Sequence, residues 1–216
     1  MLEKYSNIPL FKIAQRNPEV EKELLEKGDG GVLSHYAINT IDGRWPEAEP
    51  YIIKDPFGAT QYAIFNIKGR WPEAEPLIIQ DEYNAYLYAR DAIKGRWPEA
   101  ESKILEDDFT AFNYALHVIK GRWPEAEPQI LNHPAWAYSY ALNILDRRWP
   151  EAEPIIIKDP TYAKQYAEDV IGGRWPEAEK YLKDSDKWRD YINMLHRKGQ
   201  GVDVWQLEED AEEDWV

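Results

Sequence analysis

One hexapeptide, Arg-Trp-Pro-Glu-Ala-Glu, recurs at Arg44–Glu49, Arg70–Glu75, Arg96–Glu101, Arg122–Glu127, Arg148–Glu153 and Arg174–Glu179, always 26 residues apart. A fixed period of this length marks stacked supersecondary units, each too small to bury its apolar face without a neighbour. The chain of 216 residues is therefore expected to form a repeat array.

The second copy, residues 69–94, shows how each unit is built. Pro72 suits the first turn of a helix, where its missing N–H costs nothing, and the glutamates after it suit the positive end of the helix dipole. Trp71, Ala74 and Ile78 follow helical spacing. Asp81 is an N-cap for a second helix, and Asp55-Pro56 and Asp159-Pro160 repeat that signal more strongly. In the second helix Ala85, Tyr88, Ala89, Ala92 and Ile93 form one apolar stripe. Gly95 then reads as a left-handed C-terminal glycine. The prediction is an all-α fold: an α-solenoid of six to seven 26-residue helix–turn–helix repeats with degenerate caps. A leucine-rich-repeat horseshoe shares the period but lacks its alternating leucines and asparagine here.

Two features resist this pattern. Pro50, Pro76, Pro128 and Pro154 lie four residues after the first proline, where a continuous helix would lose a hydrogen bond. Arg147 stands where the other turns carry glycine.

Residues 1–42 read as a degenerate N-terminal capping repeat. Asn17-Pro18 opens a helix to about Lys27, Gly28 ends it, and Gly28–Gly31 reads as a loop. Tyr36-Ala37 is in register with Tyr62-Ala63 and the later Tyr-Ala pairs. Residues 43–198 are the six-repeat helical array and residues 199–216 an acidic C-terminal tail. Seven of the 40 acidic side chains fall in residues 201–216, with no base among them.

The consecutive units Lys-Gly-Arg-Trp-Pro-Glu-Ala-Glu-Pro, Ile-Ile-Lys-Asp-Pro and Tyr-Ala resemble the 26-residue Trp-Pro-Glu-Ala-Glu repeats of uncharacterised tailed-phage proteins. The resemblance covers residues 43–198. It implies a phage origin, hence a host bacterial cytoplasm, and carries no catalytic residue.

Chemistry is sparse in the pattern. No cysteine is present, which suits a reducing compartment, and no signal peptide or membrane-length apolar run is evident. His35, His117, His133 and His196 lack metal-ligand spacing, and neither a nucleophile elbow nor a phosphate loop occurs. An enzyme needs one asymmetric site, whereas the Glu47/Glu49 pair recurs in every copy. No enzyme activity, cofactor or metal is expected. A net charge of −14 argues against direct nucleic-acid binding.

Trp45, Trp71, Trp97, Trp123, Trp149 and Trp175 read as structural wedges between units. Where copies disagree, Tyr86 with Arg90, Phe112 with Leu116, and Tyr138 with Leu142 are i, i+4 pairs beside the stripe. They either widen the core or form a central partner-binding patch. Trp215-Val216, ending the acidic tail, is a second candidate partner contact. The expected function is a protein-binding scaffold or inhibitor directed at a host or phage protein, defence factors included. Alternatives are an acidic nucleic-acid mimic and a structural or self-assembling phage component, with a homo-oligomer as one form of the latter.

Overall fold

A computed structural model describes residues 15–200. The described residues are all helix, turn and loop, without a strand, so the α-helical repeat reading holds and the leucine-rich-repeat alternative falls. The chain divides into two compact units, the first ending at Ile119 and the second starting at Lys120.

In the first unit, α1 (Pro18–Lys27) and α2 (Gly30–Thr40) make the opening repeat. Then follow α3 (Glu49–Ile52) with α4 (Pro56–Tyr62), α5 (Glu75–Ile78) with α6 (Glu82–Leu87), and α7 (Pro98–Ile104) with α8 (Asp108–Tyr114). The long helices α2, α4, α6 and α8 pack in sequence. The second unit contains α9 (Glu127–Ile130) with α10 (Pro134–Tyr140), α11 (Glu153–Ile156) with α12 (Pro160–Tyr166), and α13 (Pro176–Leu182) with α14 (Trp188–Arg197). There α10 packs on α12.

The second proline decides where each short helix starts. With Pro50, Pro76, Pro128 or Pro154 present, the Pro-Glu-Ala segment is a separate turn and the helix begins at the following glutamate, placing that proline in its first turn. Where Ser102 or Lys180 supplies an N–H instead, one helix runs from the first proline, as in α7 and α13. The proline tolerated in a first turn cannot donate to the turn before it.

Aspartate caps the long helices as expected: the carboxylates of Asp29, Asp55, Asp81, Asp107 and Asp159 accept backbone N–H groups of the first turn. His133 sits at the same N-cap position without making that side-chain bond; its ring lies 4.2 Å from Trp136.

The far ends of these helices differ from the sequence reading. The last turn is a π-helix in five repeats: Ala63–Ile67, Tyr88–Ile93, Ala115–Ile119, Ala141–Leu145 and Ala167–Ile171. The left-handed residue that follows is Lys68, Lys94, Lys120 or Asp146 in four of them, with φ between 50° and 60°, and glycine only in the fifth, Gly172. Gly95 lies one residue later with ordinary backbone, and a β-carbon there would meet open space. Arg147 occupies that same unstrained slot, which explains how it replaces glycine.

Two N-terminal details also depart from expectation. Gly28 is left-handed and ends α1, yet Gly30 and Gly31 form the first turn of α2 rather than a loop. A β-carbon on Gly30 would lie 2.5 Å from the Tyr51 carbonyl oxygen. Lacking a π-turn, α2 is closed by Asn66, whose side-chain NH2 donates to the Ala37, Ile41 and Gly43 carbonyls, each at 3.0 Å.

The core repeats as the sequence does. All six motif tryptophans are buried, with the alanine of each Glu-Ala-Glu, the isoleucine or leucine four residues later, and every Tyr of the second helix stripe. Burying an indole, a phenol and several methyls per 26 residues is what makes each unit depend on its neighbours.

Candidate functional site

The charged and aromatic residues of the motif are consumed in one cluster per repeat. In the second repeat Arg44 donates to both oxygens of the Glu49 carboxylate at 2.8 and 2.6 Å. The Tyr62 hydroxyl donates to the same carboxylate at 3.0 Å and accepts the backbone N–H of Trp45. The third repeat repeats it with Arg70, Glu75, Tyr88 and Trp71, and the last closes it with Arg174, Glu179, Tyr191 and Trp175. The opening repeat has it too: Arg16 grips Glu21, Tyr36 donates to Glu21 at 3.3 Å, and the Asn17 N–H donates to Tyr36. Arg16–Glu21 is thus a seventh copy of the motif, with Asn17 and Val20 in place of Trp and Ala. Only the skeleton Arg-x-Pro-Glu-x-Glu signals it, and a search on tryptophan misses it.

Within each unit the tyrosines also reach the next repeat. In the first unit the ring packs against the following tryptophan, with centroids 5.5 Å apart for Tyr36–Trp45, 5.3 Å for Tyr62–Trp71 and 5.0 Å for Tyr88–Trp97. The second unit repeats this with Tyr140–Trp149 and Tyr166–Trp175. The tryptophans are buried against the tyrosine of the preceding repeat, and the tyrosine is the element that ties hydrogen bonding in one repeat to packing in the next.

This chemistry is structural. The Arg hydrogen bonds hold Glu21, Glu49, Glu75 and Glu101 below the usual carboxylate range. Burial pushes Tyr140 and Tyr166 up to about 12 and raises Tyr62, Tyr88, Tyr114 and Tyr191 as well. A carboxylate kept ionised by a bidentate arginine, beside a phenol kept neutral, is the reverse of a poised acid–base pair. Among the described residues no group of three or more His, Asp or Glu side chains could hold a metal ion. A shallow cleft of about 450 Å³ lies beside α1, walled by Arg16, Leu25, Trp45 and Tyr51.

The predicted partner-binding residues do not form an exposed patch. Tyr86 and Phe112 are buried, 3% and 9% exposed, which corrects their placement on a surface. A stacked helix has neighbours on two sides, so its buried arc is wider than one stripe: every residue from Asn84 to Ala89 is buried. Arg90 covers Tyr86, its guanidinium 5.0 Å from the ring centre and donating to the hydroxyl at 2.9 Å. Leu116 and Leu142 are half-buried, as is Tyr138, whose hydroxyl donates to Asp169 at 2.6 Å. Trp215 and Val216 lie outside the described residues.

The exposed aromatics are elsewhere, Phe65 and Tyr181 at scattered positions and three others in one recurring slot. Phe57, Tyr83 and Phe109 are 55%, 46% and 50% exposed, and each is the second residue of its helix, α4, α6 and α8. Because those helices pack in sequence, the three rings form a row along the first unit. The signal was present as an aromatic two residues after each capping aspartate, at the 26-residue interval. Apolar periodicity within a helix does not pick it out, because it says nothing about side chains at the helix end.

No described helix is long and apolar enough to cross a membrane. Comparison with protein-family models, with curated proteins and with solved structures finds no match.

Proposed function

We propose that this chain is a non-catalytic repeat protein whose first unit docks another protein through the Phe57–Tyr83–Phe109 row. The observation that carries the reading is the division of labour within each repeat. The recurring Arg, Glu, Tyr and Trp are engaged in holding the array together, while one variable slot presents an aromatic to solvent three times running. Aligned exposed aromatics are costly unless something covers them. The phage-repeat resemblance supplies the partner class, a host or phage protein.

A nucleic-acid mimic fits less well. It needs a run of unopposed carboxylates, whereas the exposed Glu73 and Glu99 act electrostatically on Arg44 and Arg70 of the preceding repeat. The result is an alternating Arg/Glu line rather than a phosphate-like row.

The test is affinity capture from bacterial lysate with the wild type and with Phe57→Ala/Tyr83→Ala/Phe109→Ala. Ala135→Ser/Thr161→Ser, in the same slot of the second unit, serves as control. Specific partners should vanish only from the triple variant; partners retained by it would end the proposal.

A further inference from the structure

The loops that carry the aromatic row are acidic. Asp55, Asp81 and Asp107 cap the three helices, and Glu82, Glu106 and Asp108 stand beside them. The nearby cations are already engaged. Lys103 lies 2.6 Å from Glu106 and 3.4 Å from Glu82, and Lys54 lies over the Tyr51 ring at 5.5 Å. The row therefore presents half-exposed rings, Tyr83 resting 6.1 Å from Tyr86, among six carboxylates of which Lys103 offsets two, so the local charge stays negative.

That combination selects a cation. A Lys or Arg side chain can place its charge over a ring while its alkyl stem covers the ring edge, and the surrounding carboxylates favour the same charge. The spacing restricts the ligand further. Packed helices lie about 8–10 Å apart, and a polyproline-II segment repeats one face every three residues, a rise of about 9 Å. The chain's own acidic C-terminal stretch has the wrong sign for this surface.

We propose that the row on the first unit binds an extended basic segment of a partner protein, with Lys or Arg at every third residue, one over each of Phe57, Tyr83 and Phe109. This rests on the reading of the row as a docking surface and names what docks there.

The experiment uses the full chain and labelled synthetic peptides: acetyl-(Lys-Pro-Pro)4-amide, its Glu-for-Lys counterpart and its Ser-for-Lys counterpart. Binding is read by fluorescence anisotropy at low and high salt. The lysine peptide should bind and weaken as salt rises. The triple alanine variant should lose about tenfold or more in affinity, and Glu82→Gln/Glu106→Gln a smaller factor with a flatter salt response. The Ala135→Ser/Thr161→Ser control should bind as wild type.

Equal binding of the lysine peptide by wild type and triple variant overturns the inference, as does its failure to bind at millimolar concentration. Preference for the serine or glutamate peptide that disappears in the triple variant also overturns the basic class, while leaving the docking reading intact. Concentration-dependent self-association of the wild type, abolished in the triple variant, would assign the row to a second copy of the chain and overturn both.

Discussion

The two units use the same repeat and dress it differently. At the slot holding Phe57, Tyr83 and Phe109 in the first, the second holds Ala135, Thr161 and Lys187. Three residues further along, the first unit has Thr60, Tyr86 and Phe112, all buried. The second has Tyr138 and Lys164 in a surface network: Tyr138 donates to Asp169, while Lys164 and Arg197 both grip Glu168. The Arg–Glu–Tyr–Trp cluster is unchanged between them. The scaffold tolerates aromatic, polar or charged residues at these slots because none of them takes part in the cluster that joins repeats.

The comparison breaks first if the scaffold is not common to both units. Trp71→Ala and Trp149→Ala should each destabilise by about 3–5 kcal/mol in chemical denaturation, since both leave a buried cavity between repeats. A full effect in one unit and none in the other would show that the two stacks are held differently.

Smaller changes come from the hydrogen bonds. Tyr88→Phe and Tyr166→Phe keep the ring and remove the hydroxyl, leaving a buried tryptophan N–H unpaired, at a cost of about 1–3 kcal/mol. The same groups set the pH range. Burial lifts the tyrosines above the ordinary value of about 10, so their contribution is complete below that pH and is lost as pH rises towards the folded values, about 12 for Tyr140 and Tyr166. Glu49, Glu75 and Glu101 are depressed, so theirs is complete above the ordinary carboxylate value and is lost as pH falls through the depressed range. Denaturation midpoints should be flat near neutrality and fall on both sides. An alkaline fall that begins well below pH 10 would sever the tyrosines from stability.

The turn chemistry predicts an effect of about 1 kcal/mol. Lys94→Gly should stabilise by relieving a left-handed lysine, whereas Gly95→Ala should be tolerated. The opposite order in thermal melts would return the left-handed conformation to the glycine. The smallest effect belongs to the row itself: Phe57→Ala, Tyr83→Ala and Phe109→Ala should each shift stability by no more than about 0.5 kcal/mol. A large loss there would make these residues core, and the contrast between the units one of packing alone.

What the sequence determined by itself is whatever depends on neighbours along the chain. The 26-residue period, the capping aspartates, the prolines in first turns and the Ala-Tyr-Ala stripe are local patterns with local physical causes, and all were readable. Tertiary structure alone decided the rest. It set which aromatics are covered, burying Tyr86 and exposing Tyr83 on the same helix. It decided that helices close through π-turns onto a left-handed residue, a lysine in three of the five, since a helix end takes the geometry its packed neighbours allow. It also gave the repeated tyrosine its purpose, because the hydroxyl meets a tryptophan N–H 17 residues earlier in Tyr62 and Tyr88 while the ring meets the tryptophan of the next repeat. No spacing within one repeat encodes a contact made only when two repeats are stacked.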